Sequence, residues 1–329
     1  MSLRIIKQGL SDTIQDFGRK GYRYLGINPG GAMDLVAMRI ANALVGNDPK
    51  EAVIEMHFPA AEILFEQTVL VAMAGADFSA TINEESIPVL HPVMIRKGSV
   101  LKFQKKQKGA RLYLAVQGGY LCDEWLGSCS TNTKVKAGGY QGRALQKGDL
   151  LLMKREPAYR FIKEEHHVEI FPWQANDGEF YQQEKIRFIT GPEYDFLDEN
   201  SKTKLENALF TITPSSDRMG YRLSGDPLNM TEPVDMISTA AIRGTIQLLP
   251  DKQLIILMAD HQTSGGYPRP GYLISADIPA MAQKWIGQQF SLEKITQADA
   301  ETILYNQEMN LQQLQNACNF RLQQYLAND

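Results

Sequence analysis

The chain has 329 residues, 43% hydrophobic and 22% charged, which suits one or two globular domains with real cores. Its 34 basic and 38 acidic residues leave a formal charge of −4, so no global pull toward nucleic acid or an anionic membrane is expected. The opening Met1–Lys7 lacks an apolar secretory stretch and the run near Leu254–Ala259 is far too short to cross a bilayer, so a cytoplasmic protein is expected.

Strand-like segments dominate. Asp34 can cap a helix over Leu35–Val45, with Leu35, Met38, Ala41 and Val45 on one face and Gly46 ending it. Short runs rich in Val, Ile and Leu follow at Thr68–Ala74, Ala80–Ile87, Val93–Phe103, Arg111–Gln117 and Asp149–Lys154, separated by turn residues. A second set lies at Lys185–Thr190, Ala208–Thr213, Gly244–Leu249 and Gln253–Met258, the last two joined by Pro250-Asp251-Lys252 as a hairpin connection. A short helix is expected at Pro279–Ile286. A long Gln-rich helix follows from Thr296, where Thr296 and Asp299 resemble a capping box; Leu304, Leu311, Cys318 and Tyr325 form a narrow apolar stripe that packs on its own domain. The pattern favours barrels or sandwiches over a βαβ sheet. The polar stretch Lys154–Glu184 holds the expected boundary, giving units 1–175 and 176–295 and a C-terminal helix 296–329; the N-terminal loops can pack on the second unit.

Familiar catalytic machinery is missing. There is no G-x-x-x-x-G-K-[ST] phosphate loop, no G-x-S-x-G elbow, and no metal spacing among the five histidines. The adjacent His166 and His167 read as a solvated pair. The three scattered cysteines, Cys122, Cys129 and Cys318, read as no disulfide framework.

Gly-rich polar loops carry Asp, Arg and Gln instead. Arg19-Lys20-Gly21-Tyr22-Arg23 and Arg218-Met219-Gly220-Tyr221-Arg222 both read R-x-G-Y-R, each with an aspartate just upstream, Asp16 and Asp217. Chance or two domains of similar construction can produce this echo. Guanidinium forks suit a carboxylate or phosphate, which makes Arg19, Arg23, Arg218 and Arg222 candidate clamps. Asp34 reads equally as helix cap and functional carboxylate. The Asp260–Pro268 loop, with Gln262, Thr263, Gly265, Gly266 and Tyr267, reads either as a tight turn or as backbone N–H groups converging on an anion.

Taken in order, DTIQDFGRKGYRYLGINPGGAMD (Asp12–Asp34), NALVGN (Asn42–Asn47), AVQGGY (Ala115–Tyr120), LGSCSTNT (Leu126–Thr133), GRALQKGDLL (Gly142–Leu151), SDRMGYRLSG (Ser216–Gly225) and DHQTSGGYP (Asp260–Pro268) resemble the allophanate hydrolase subunit 2 family. That family is also described as subdomains A and B of biotin-dependent carboxyltransferases, and the pattern looks most like its branch of 5-oxoprolinase C subunits. The resemblance implies a mainly β chain of two cyclophilin-like β-barrel subdomains with few helices. It also implies a companion of related fold (the B subunit, the kinase-inhibitor family) and a large A subunit. Together these open the lactam of 5-oxoproline to glutamate with ATP cleavage, and the chain is not expected to act alone. Ser264, His261, Cys122-Asp123 and Cys129 depart from the family's usual residues, which bears on substrate preference.

On that reading Asp34, Asp217 and Thr263 are the catalytic candidates. Arg19, Tyr22, Arg218, Tyr221, Arg222, Gln262, Gly265, Gly266 and Tyr267 are expected to bind substrate, with no metal ligands. ATP with Mg is expected mainly on a partner chain. Carboxyl transfer is a competing reading; biotin enters only there, on a separate carrier, because Met153-Lys154-Arg155 matches the biotin-accepting M-K-M signature only in part. A third reading is regulatory pairing with the kinase-inhibitor family.

Overall fold

The computed structural model describes residues 2–154, 166–232 and 236–327. The expected boundary stretch includes residues 155–165, which lie outside the described residues, as does Arg155 of the partial carrier match. The chain divides into two compact units. One comprises Met1–Arg19, Asp34–Asp177 and Met309–Asp329, the other Lys20–Met33 and Gly178–Glu308. The molecule is mainly β, with five α-helices among the described residues.

The first unit holds two six-stranded antiparallel sheets. In spatial order one runs Leu150–Leu152, Ser2–Lys7, Glu62–Phe65, Val100–Phe103, Ala80–Ile82 and Glu85–Ser86. The other runs Val168–Ile170, Pro92–Ile95, Val69–Asp77, Lys108–Val116, Val53–Met56 and Thr13–Gln15. Alternation along these strands turns Leu3, Ile5, Ile63, Val71, Ile95, Leu112 and Leu114 into one shared core. Two expected strands prove to be pairs. Ala80–Ile87 folds back at Asn83 and Glu84, both at positive φ, and Val93–Phe103 breaks at Gly98, whose φ is +86°.

Helix α1, Leu35–Leu44, forms where expected, with the Asp34 carboxylate accepting the Ala37 N–H at 2.9 Å. It is buried on more than one side: Val36, Ile40 and Ala43 are covered while Leu35, on the expected apolar face, is only half-buried. The long C-terminal helix, α5 (Gln297–Ala327), is counted with the first unit from Met309 onward. There Leu311, Cys318 and Leu322 are buried, and Tyr325 stacks on Phe171 at 4.4 Å between centroids and donates its O–H to Glu169 at 2.6 Å.

The second unit is built on one eight-stranded sheet in the order Gln289–Phe290, Phe210–Ile212, Gly220–Ser224, Leu254–Leu257, Thr245–Leu248, Gly271–Leu273, Ile186–Thr190 and Leu292–Lys294. Its first and last strands are separated in sequence only by Ser291, so the two edges of the sheet must come together. The result is a nearly closed β-barrel, which leaves little free edge. Met33, Phe188, Tyr221, Ile246, Ile256 and Phe290 fill it. Helices α2 (Gly178–Tyr181) and α3 (Glu199–Asn207) were not anticipated; Asp198 caps α3 by accepting the Ser201 N–H at 2.7 Å. Helix α4 spans Ile278–Ala282 rather than reaching Ile286, and Trp285 and Ile286 are exposed beyond its end. Helix α5, Gln297–Ala327, opens as expected, with the Asp299 N–H donating to the Thr296 hydroxyl at 3.1 Å.

Candidate functional site

Most of the candidate residues fall in the second unit, around three loops. In the first, the Asp217 carboxylate accepts the Met219 N–H at 2.7 Å and the Gly220 N–H at 3.3 Å, an Asx turn that launches the strand Gly220–Ser224. Period-two alternation then separates the next two candidates. Tyr221 points into the core, where it is 3% exposed, and Arg222 points to the opposite, outer face. Arg218 sits on the turn itself. Its Nε and Nη2 donate to the two carboxylate oxygens of Asp260 at 2.8 and 3.2 Å, and Nη2 also donates to the Gly31 carbonyl at 2.7 Å. A fork so engaged binds a loop to a loop; its charge is largely neutralised before any anion arrives.

The second loop is the segment Lys20–Met33. The Tyr22 carbonyl accepts the Leu25 N–H at 3.0 Å and starts the 3₁₀ turn Arg23–Leu25, which Gly26 ends in the left-handed region. Arg23 donates to the Ala241 carbonyl, Asn28 to the Asp260 carbonyl at 3.1 Å, and Arg243 to the Ala32 carbonyl at 3.1 Å and the Met33 carbonyl. Arginine side chains thus fix this segment to its neighbours through backbone carbonyls.

The third loop begins at His261, which is buried and hydrogen-bonded through Nδ1 to the Gln262 carbonyl at 2.6 Å. Burial, and then the cationic Arg23 and Arg243 nearby, push the imidazole below its ordinary pKa, so it stands neutral at pH 7. The Thr263 carbonyl accepts the Ala241 N–H at 3.0 Å, and Ser264–Gly265 pairs with Thr239–Ala240 as a short ribbon. Gln262 and Tyr267 are exposed. The expected convergence of N–H groups on an anion is not formed, because neither Gly265 nor Gly266 takes the positive φ that such a nest requires. Gly265 is needed for space instead: a Cβ there would lie 2.7 Å from Gln247 Nε2.

The remaining candidates belong to the first unit. Asp34 is fully buried; beyond capping α1 it offers its N–H to the Tyr113 hydroxyl at 2.8 Å, and that hydroxyl donates to Glu55 at 2.8 Å. Arg19 is 2% exposed, donates to the Ser130 carbonyl, and lies 4.6 Å from the centroid of Trp125. Trp125 rides on a loop closed by a Cys122–Cys129 disulfide, a pairing that the reading of no disulfide framework did not anticipate; Cys318 is free and buried. The same loop is tied down by Asp16, which accepts the Cys129 N–H at 2.7 Å, the Ser128 hydroxyl at 2.6 Å and the Gly18 N–H at 2.8 Å.

The R-x-G-Y-R echo has a limited structural basis. Both upstream aspartates accept the N–H two residues on, Asp16 from Gly18 and Asp217 from Met219. After that the paths differ: the first copy enters a 3₁₀ turn, the second a strand. Sequence reasoning passed over Asp260, Arg243 and Gln247 as site residues. A signal was there in Arg243, a single cation between Ala240-Ala241-Ile242 and a strand, and in Asp260, an acid within reach of an arginine-rich turn.

Among the described residues no group of three or more His, Cys, Asp or Glu side chains could hold a metal ion. No helix of the described residues is long and apolar enough to cross a membrane.

A family model described as "Carboxyltransferase domain, subdomain A and B" matches residues 25–294. The chain belongs to this family. Among curated relatives, the C subunit of 5-oxoprolinase from Haemophilus influenzae is 34% identical over 302 residues, covering 92% of this chain and 94% of the relative. Its Escherichia coli counterpart, also a 5-oxoprolinase C subunit, is 35% identical over 312 residues, covering 93% and 97%. Among solved structures, the K. lactis urea amidolyase superposes with a TM-score of 0.86 at 24% identity, covering 95% of this chain but 20% of that one.

Proposed function

We propose that this chain is the C subunit of an ATP-dependent 5-oxoprolinase, which opens the lactam of 5-oxo-L-proline to L-glutamate. The observation that carries the reading is end-to-end similarity: the two 5-oxoprolinase relatives match over 94% and 97% of their own length. The assembly would include a companion of related fold and a larger third chain. ATP and its Mg are assigned mainly to a partner, since this sequence has no G-x-x-x-x-G-K-[ST] phosphate loop.

The role left to this chain is to bind and orient the lactam. A lactam carbonyl is a weak electrophile and needs donors on its oxygen, while the ring carboxylate needs a cation. Of the candidate arginines, Arg222 suits the cation role because it stands exposed on the outer sheet face, whereas Arg218 is spent on Asp260. The test is glutamate release from 5-oxoproline and ATP by the three subunits together. Activity that disappears when this chain is omitted supports the proposal; full activity without it overturns it. The match to a carboxyltransferase-domain family model favours one other reading, carboxyl transfer to an amide, for which turnover would depend on a biotin-bearing carrier.

A further inference from the structure

A cleft of about 400 Å³ opens in the first unit against the disulfide-closed loop. Ser128 and Cys129 form part of its wall, whereas Cys122 is not among the residues that line it. Both cysteines are half-buried, so neither is sealed inside the core. A molecule in the cleft therefore meets the bridge from the Cys129 side.

The frame of the loop does not depend on the sulfur–sulfur bond. Asp16 accepts the Cys129 N–H at 2.7 Å and the Ser130 hydroxyl at 2.5 Å. At the other end, Leu121 donates to the Leu152 carbonyl at 2.7 Å, and Asp123 and Gly139 exchange N–H···O bonds at 2.7 and 2.9 Å. Trp125 and Ser128 pair across the tip. With the backbone tied down beside each cysteine, opening the bridge leaves two thiols close together and ready to close again. A short loop held in this way suits reversible exchange better than permanent stapling.

Charge decides which thiol the cleft admits. Its lining sets four carboxylates, Asp16, Asp48, Glu51 and Glu124, against two ammonium groups, Lys50 and Lys154. Lys154 is taken by Glu51 at 2.5 Å, and Glu124 stands exposed on the loop itself. The excess of carboxylates attracts a cationic visitor and repels an anionic one.

We propose that this cleft admits a small thiol carrying an ammonium group, and that the Cys122–Cys129 bridge exchanges with it. The thiolate attacks Cys129 Sγ, the bond to Cys122 breaks, and Cys122 leaves as a thiolate that takes up the proton shed by the incoming thiol. A second thiol then attacks the mixed disulfide at the small molecule's sulfur, frees Cys129 and departs as the small disulfide. Two protein sulfurs are reduced and two small thiols are oxidised. The proposal is independent of the lactam reading.

The experiment reduces the oxidised full-length chain anaerobically with cysteamine, 2-mercaptoethanol or 3-mercaptopropionate, which carry a positive, no and a negative charge beside the thiol. Alkylation and mass spectrometry count the thiols released, and each rate is divided by that thiol's rate on a small model disulfide, which removes intrinsic reactivity. Cysteamine is expected to lead and 3-mercaptopropionate to trail, by about fivefold per step at low ionic strength, with the spread shrinking at high salt. Glu124→Gln is expected to narrow the spread and Lys50→Gln to widen it, with thermal unfolding checking that both variants fold. In acid-quenched samples the cysteamine adduct is expected on Cys129. Equal normalised rates for the three thiols, an adduct on Cys122, or a spread that neither folded variant moves overturns the proposal.

Discussion

An aspartate at the start of a helix has two demands on it, and Asp34 shows how they can be separated. Its Oδ1 holds the Ala37 N–H and its own N–H reaches Tyr113, so the residue is already occupied with local structure. Asparagine retains an acceptor oxygen for the cap, and alanine does not. Asp34→Ala is expected to lose about 1 kcal/mol in urea unfolding, and Asp34→Asn to stay near wild type. Turnover lost in the asparagine variant at full stability would then assign the charge a chemical role. The same separation applies to Arg218, whose pairing with Asp260 makes it a fastener of the 218 and 260 loops.

At the level of elements, the loop from Cys122 to Cys129 matters most, because it supports Trp125 under Arg19 and presents the Cys129 N–H to Asp16. Closing a loop of this length is worth about 2 kcal/mol in the chain-entropy account. Cys129→Ser, or a reductant on the wild type, is expected to lower the unfolding free energy by that amount, each removing the effect of the other. Little of this was legible in the sequence, where two cysteines seven apart give no pairing signal without the fold. Long apolar strands were legible because both faces are covered, as in Val69–Asp77 and Lys108–Val116. Strands such as Gly220–Ser224 were hidden as polar loops, although Tyr221, Arg222, Leu223 and Ser224 alternate inward and outward. The site was legible as a set of loops, but the partners that decide each arginine's role come from strand register, which composition does not carry.

Across the whole molecule, the two units are expected to answer pH with opposite sign. In the first, burial lifts the Asp12 carboxyl from 3.8 to about 7 against the pull of the His57 and Ala61 N–H groups. The folded state therefore holds that proton more tightly than the unfolded chain, and its contribution is lost as pH rises from about 4 to about 7. In the second, His261 has its pKa lowered, so the unfolded chain holds the proton more tightly and stability is lost as pH falls below the ordinary imidazole range. Hydrogen exchange read unit by unit, corrected for intrinsic rates, should show protection in the first unit declining as pH climbs through that window and protection near His261 declining in the reverse direction. Asp12→Leu and His261→Gln should each flatten its own trend.

The aromatic contacts have an optical consequence. The chain has three tryptophans in three different settings. Trp125 lies under a guanidinium on the disulfide-closed loop, Trp173 is stacked with Phe171 and Tyr325, and Trp285 is 38% exposed just past α4. Replacing any two by phenylalanine leaves a single emitter. Opening of the loop, seating of the final turns of α5 and solvent access after α4 then become three separate fluorescence signals, with no dye attached.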